Sequence, residues 1–246
     1  MREQNKNMSP ALAALRSRIR LLERGTPRPG RIHPFGVAVL DAHLPEGGLA
    51  CGALHEVAGG GPDEIAAAAA TLFVAGILAR LDRPVLWCTV LRDLYPPGLA
   101  CAGLAPARVL HGTARDEKTL LLIMEEALRH PGLAAVVGEL ARLPMVASRR
   151  LALAAEKSGV MALALRRRRE GGAAETGLTA AATRWRVAPL PSVVLSSPGI
   201  GRARWRVELA RCRGGEAAEW VMEACDAQGC LGVPAELGYR SVALAS

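Results

Sequence analysis

The segment Leu54-His55-Glu56-Val57-Ala58-Gly59-Gly60-Gly61-Pro62-Asp63-Glu64-Ile65-Ala66 decides the fold. Its first five residues form a short, mostly apolar run that ends in glycines, and an alanine-rich stretch follows as far as Leu81. That order predicts a strand over 54–58, a glycine turn and a long helix over 63–81. Outward on the C-terminal side the alternation continues. Pro84 to Cys88 and Arg108 to His111 read as strands, and Asp116 to Arg129 as a helix with acidic residues in its first turn. Leu133 to Val137 is an apolar strand bounded by Pro131-Gly132 and Gly138, Ser148 to Ser158 a helix stopped by Gly159, and Val160 to Leu165 a further strand. Short apolar strands interleaved with helices imply right-handed crossovers and a mostly parallel central sheet flanked by helices. Beyond Arg166, alternation in Ala181 to Val187 and Ala203 to Leu209 predicts antiparallel strands, with Glu219 to Cys225 as an additional one.

At 246 residues the chain has room for one large α/β domain with short extensions. Half the residues are apolar but only 3% are aromatic, so the core has to be layered Ala, Leu and Val, which suits helices on a parallel sheet. On the N-terminal side, Leu12, Leu15, Ile19 and Leu22 recur at helical spacing behind Ser9-Pro10, and Gly25 closes the helix. Pro27 and Pro29 mark a linker. The expected organisation is therefore an amphipathic helix and linker over 1–30, a core over 31–225 and a C-terminal extension over 226–246.

The net charge is +8 and nearly all the cations are arginine, the lysines being Lys6, Lys118 and Lys157. Such a balance favours a polyanionic partner. The six cysteines show no C-x-x-C pair and no zinc-site spacing with histidine, so no metal is expected, and they read as buried reduced thiols of a cytoplasmic protein. Met1 to Pro10 are polar and no apolar run reaches membrane-spanning length, so neither export nor insertion is expected.

Several segments carry a resemblance. Phe35-Gly36-Val37, Leu40-Asp41, Leu44-Pro45, Gly47-Gly48-Leu49 and Gly52, leading into His55-Glu56-Val57-Ala58-Gly59, resemble the start of the ATPase core of RecA and its relatives. Leu86-Trp87-Cys88, Leu94-Tyr95-Pro96-Pro97-Gly98-Leu99, Met124 to Arg129 and Ser148-Arg149-Arg150-Leu151 narrow it to the ImuA family, RecA-like accessory proteins of bacterial mutagenesis operons. The resemblance spans roughly residues 35 to 225. It implies a RecA-like core and a place in SOS mutagenesis beside ImuB, an inactive polymerase-like protein, and an error-prone replicative-type polymerase, with RecA and DNA as further candidate partners.

The resemblance also implies a phosphate loop at Gly59, Gly60, Gly61, Pro62, Asp63, Glu64, Ile65 and Ala66. Such a loop needs G-x-x-x-x-G-K-[ST]: backbone N–H groups cradle the phosphates, lysine neutralises them and the hydroxyl holds magnesium. Counting from Gly59, Glu64 replaces the second glycine, Ile65 the lysine and Ala66 the hydroxyl residue. No register shift helps, because no lysine lies between Lys6 and Lys118. Asp63 and Glu64 would face any phosphate there and repel it. In RecA relatives a glutamate after the next strand activates water, and Cys88-Thr89-Val90-Leu91 offers no carboxylate. Where the family places a magnesium-organising aspartate the sequence has Gly138-Glu139, and Glu139 reads as a solvated strand-end carboxylate. No cofactor and no catalysis are expected.

His33, His43, His55, His111 and His130 lack ligand partners at metal spacing, and Ser196-Ser197 lacks a base, so no other catalytic set stands in. Arg166, Arg167, Arg168 and Arg169 enter a Gly-rich run where the resemblance places a DNA-contacting loop. Arg184, Arg186, Arg202, Arg204 and Arg206 flank Trp185 and Trp205 and offer an alternative, a basic and aromatic strand face for an acidic partner. Leu231, Val233 and Leu237 are the candidate partner-binding residues of the extension. The reading is a non-catalytic adaptor. Its rivals are a cell-division inhibitor of the SulA type, against which the basic charge and the ImuA-like segments weigh, and an ATP-dependent recombinase, against which the missing lysine weighs.

Overall fold

The computed structural model describes residues 30–61, 64–167, 177–192 and 201–234. The helix expected over Ser9 to Gly25, together with Pro62, Asp63, Arg168, Arg169, Ser196, Ser197 and Leu237, lies outside the described residues.

The decisive segment folds as read. β3 (Leu54–Gly59) runs through the glycines into α2 (Glu64–Ala79). Before it stand β1 (Ile32–His33), the single turn α1 (Ala38–Asp41) and β2 (Leu49–Ala50), with β1 and β2 paired antiparallel. The Phe35-Gly36-Val37…Asp41 motif has a local cause: the Asp41 carboxylate accepts hydrogen bonds from the N–H groups of Phe35, Gly36 and Val37 at 2.7, 2.9 and 3.2 Å. One acid thereby satisfies three backbone donors at a sharp turn.

After α2 come β4 (Val85–Thr89), α3 (Pro96–Cys101), β5 (Val109–Thr113), α4 (Glu117–Ala127), β6 (Ala135–Leu140), α5 (Met145–Ser158) and β7 (Met161–Arg166). The last strands are β8 (Thr183–Leu190), β9 (Arg204–Cys212) and β10 (Ala218–Glu223). They form an eight-stranded sheet in the order β10-β9-β8-β3-β7-β6-β4-β5. β3 to β7 pair in parallel, as expected, while β9 pairs antiparallel with both β8 and β10. The expectation for Ala181 to Val187 needs correction on one side, because β8 pairs parallel with β3.

α2 is buried nearly all round, as its composition demands: Ala66, Ala69, Ala70, Phe73, Val74 and Ile77 are among its covered residues. It packs on one face of the sheet, against β3 and β8, with Val57, Trp87, Val137, Leu163 and Trp185 in that core. Its far side is roofed by the turn at 225–230: a Cβ on Gly76 would lie 2.2 Å from Cys225 Sγ. A Cβ on Gly229, at φ +78, would likewise lie only 2.7 Å from Gly76 O. α4 and α5 cover the other face around Leu120, Met124, Val136, Leu151 and Ala162. Asp116 caps α4 by accepting from Thr119 N at 2.7 Å, and Gly159, at φ +77, ends α5. The helix expected from Ser148 begins at Met145 instead, and Ser148 Oγ donates back to Met145 O at 2.8 Å.

Only Cys51 and Cys88 are fully buried; Cys101 and Cys230 are exposed, which corrects the expectation of six buried thiols. Among the described residues no helix is long and apolar enough to cross a membrane.

Candidate functional site

In open α/β sheets ligands gather at the carboxyl ends of the parallel strands. At the end of β3 the chain is closed by backbone contacts. A Cβ on Gly59 would stand 2.9 Å from Ala66 C and O, and one on Gly60 2.8 Å from Ala188 Cβ. Gly60 N also donates to Val187 O at 2.8 Å, which joins the loop to β8. Ala66 is buried, Glu64 is exposed, and Ile65 is 66% exposed.

At the ends of β4, β6 and β7 the space holds charge. Glu139 is buried inside β6, and both carboxylate oxygens are used: Oε1 accepts from Trp87 Nε1 at 2.8 Å and Oε2 from Arg167 Nη1 at 2.6 Å. The solvated carboxylate expected at this position is therefore a buried ion pair. It is buried because β6 runs on through Leu140 while the first residue after β7 folds its guanidinium over the strand end. Arg167 also forks onto Asp93, Nη1 to Oδ1 at 3.2 Å and Nη2 to Oδ2 at 2.8 Å. Burial works against the Arg167 charge, and hydrogen bonds and attraction from Glu139 and Asp93 outweigh it and raise its pKa. Arg166 Nη2 donates to Ala141 O at 2.8 Å, and Glu117 Oε1 accepts from Ala141 N at 2.8 Å.

Two of the four arginines expected to contact DNA are thus engaged within the fold, and the other two lie outside the described residues. Asp93 and Trp87 were missed from sequence. Asp93 stands two residues past the window searched for a carboxylate, and nothing local marks Trp87 as a partner of a residue 52 positions away.

A second buried carboxylate, Glu56, accepts from Thr179 Oγ1 and lies 3.4 Å from Arg184 Nη2. On the opposite face a polar chain links β8, β3 and β2. Trp185 Nε1 donates to Thr183 Oγ1 at 2.8 Å, and His55 Nδ1 is 2.8 Å from the same hydroxyl. His55 Nε2 is 2.9 Å from Ala50 O, and a carbonyl only accepts, so Nε2 carries the proton and the Thr183 hydroxyl donates to Nδ1. Burial lowers the His55 pKa to about 4, and burial with Arg80 nearby lowers that of His33 to about 4, so both are neutral core groups. Among the described residues no group of His, Cys, Asp or Glu is arranged to hold a metal ion.

The basic, aromatic strand face does not exist as one surface. Trp185 and Trp205 are buried, 0% and 3% exposed, with Phe35 and Phe73 beside Trp185, while Arg184, Arg186, Arg204 and Arg206 alternate with them on the opposite face. Ion pairs cross that outer face, Arg186 to Glu208 at 3.3 Å and Arg206 to Glu219 at 3.7 Å. Arg202 instead ties down the C-terminal turn through Ala224 O, Cys230 O and Glu223. Of the candidate partner-binding residues, Leu231 is partly buried against the α2-side core and Val233 is 61% exposed.

No protein-family profile matches the chain. The crystal structure of the RadB recombinase superimposes with a TM-score of 0.59 over 82% of this chain and all of that one, at 17% identity, which establishes the RecA-like fold. Protein ImuA of Caulobacter vibrioides is 39% identical over 216 residues, 84% of this chain and 88% of the relative, and the same match is found in a second strain. A similarity of that depth and coverage settles membership: this chain belongs to the ImuA family.

Proposed function

We propose that this chain is a non-catalytic adaptor of DNA-damage-induced translesion synthesis. It acts in the cytoplasm by holding an ImuB-like inactive polymerase and an error-prone replicative-type polymerase in one complex, with RecA and non-specific DNA as further contacts. The observation that carries the non-catalytic half is the composition of the β3–α2 connection. Glu64, Ile65 and Ala66 stand where phosphate neutralisation and magnesium ligation need Gly, Lys and Ser or Thr, and no lysine lies between Lys6 and Lys118. The adaptor half rests on membership of the ImuA family and on the apolar residues that the C-terminal segment carries beyond the sheet.

Two measurements test it. A filter assay with labelled ATP is expected to find no saturable magnesium-dependent binding at micromolar concentration; finding it removes the non-catalytic reading. Co-purification with the polymerase-like partner from damaged cells tests the adaptor reading. Truncation should begin after Pro234, because Leu231 packs on the core and Cys230 O accepts from Arg202 at 2.7 Å. Loss of residues 235–246 is expected to abolish partner capture with the melting transition unchanged. Capture that persists moves the partner site off this segment.

A further inference from the structure

The three charges at the ends of β4, β6 and β7 differ in how firmly they are held. The Glu139 side chain is 3% exposed, Arg167 32% and Asp93 45%. Glu139 also has its second oxygen fixed by the Trp87 indole, so the Glu139–Arg167 contact is a built part of the fold. Asp93 lies in the segment between β4 and α3, reaches Arg167 from the solvent side, and has no other hydrogen bond or ion pair described. Removing Arg167 from Glu139 would strand a buried carboxylate, whereas removing it from Asp93 exposes two groups that water can solvate. The inner contact is permanent and the outer one exchangeable.

The outer contact has a specific shape. Both terminal nitrogens of Arg167 address both oxygens of one carboxylate, the parallel two-bond arrangement that a guanidinium also makes with a phosphate. Glu139 fixes the guanidinium from behind, so its orientation toward solvent is set before any ligand arrives. Arg166 precedes it and Arg168 and Arg169 follow it in sequence, in a chain of net charge +8, which favours a polyanion over a lone carboxylate as the competing ligand.

We infer that Arg167 is a preorganised binding site for a nucleic-acid phosphate, and that Asp93 occupies it in the free protein as a resident phosphate mimic that nucleic acid must displace. The inference rests on the DNA-contact part of the proposed function. It makes Asp93 an autoinhibitory residue and ties DNA binding to release of the segment that carries the exposed Leu91 and Tyr95.

The test uses the full chain, a short duplex oligonucleotide of random sequence, and binding measured from about 50 to about 200 mM salt. Asp93→Asn is expected to raise affinity several-fold and to steepen the slope of log affinity against log salt by about 0.9, the release expected for one more phosphate contact. A triple variant, D93N/E139Q/R167Q, carries the same net charge as D93N and leaves no unpaired buried charge, since a glutamine at 139 still accepts from Trp87. It is expected to lose the gain. Equal binding by wild type and D93N overturns the inference and leaves the DNA reading standing. A gain kept in the triple variant also overturns it, by assigning the effect to net charge. Absence of binding by both wild type and D93N at low salt removes the DNA reading and the inference together. A gain toward an acidic peptide with none toward DNA would replace the phosphate by a protein carboxylate and likewise overturn it.

Discussion

The carboxyl end of β3 and the carboxyl ends of β4, β6 and β7 lie on one edge of one sheet, and the chain closes them by opposite means. At β3 the closure is steric: glycines let β3 approach Ala66 on α2 and Ala188 on β8 so closely that a methyl group would not fit. At β6 it is electrostatic: Glu139, Arg167 and Asp93 fill the space with charges that satisfy one another. The first closure can change only if the backbone moves. The second contains an exposed member that can be exchanged. The carboxyl edge of the sheet is thus rigid at one point and adaptable at another.

The largest expected effect breaks the electrostatic side. Arg167→Met alone strands the buried Glu139 carboxylate and should cost about 3–5 kcal/mol in urea unfolding, while E139Q with R167M, which leaves Trp87 its acceptor, should fall close to wild type. A cost of Arg167→Met within about 1 kcal/mol of wild type would show that the pair does not hold the strand ends. The steric side is broken by Gly59→Val, whose Cβ meets the Ala66 carbonyl carbon and oxygen at 2.9 Å. Backbone cannot give way as a side-chain tip can, so a loss of about 1–3 kcal/mol is expected, with no change in salt dependence.

A third measurement sharpens the contrast through pH. His55 and His33 titrate near 6.5 in the unfolded chain, and burial lowers both to about 4 in the fold. Between those values the unfolded state binds more protons, so stability is full above about pH 6.5 and is lost as pH falls toward 4. The slope should be about 1.4 kcal/mol per pH unit for each histidine. His55→Gln should remove about half of it, and a flat profile in wild type would mean that neither histidine is held neutral. The smallest effect belongs to the outer strand face. Arg186→Ala breaks a pair with Glu208 whose side chains are 44% and 34% exposed, and its loss should cost no more than about 0.5 kcal/mol. A cost comparable with that of Arg167→Met would erase the distinction between buried and surface pairs.

The sheet was legible where burial is continuous. The runs over 84–88 and 160–165 are apolar on both faces and 54–58 is mostly buried despite His55 and Glu56, and each became a parallel strand within one or two residues of its expected limits. Alternation over 181–187 revealed a strand but not its direction, since side-chain period 2 is the same in parallel and antiparallel pairs. The same period did contain the answer that the reading of a mixed face missed: Arg184 and Arg186 cannot share a surface with Trp185. Glu139 was misplaced because a charge in sequence signals solvent, and its compensating partner Arg167 is 28 residues away. The helix Pro96–Cys101 escaped notice because Pro-Pro-Gly signals a loop, although proline is favoured in a first helical turn. Leu99, Ala102 and Leu104, which it places in the α2-side core, had no periodic pattern to announce them.

The distribution of the four tryptophans gives the two closures separate optical signatures. Trp185 lies near Trp220, with ring centroids 6.4 Å apart, and both Trp185 and Trp205 touch Phe73. Trp87 stands apart, its indole N–H bound to Glu139. Indoles that close together exchange excitation, whereas the emission of a solitary indole follows the charge on its hydrogen-bond acceptor. The difference spectrum between the protein and its Trp87→Phe variant therefore isolates one carboxylate. Displacement of Asp93 from Arg167 alters the field at that carboxylate, so the edge of the sheet carries its own fluorescent reporter, readable without a label.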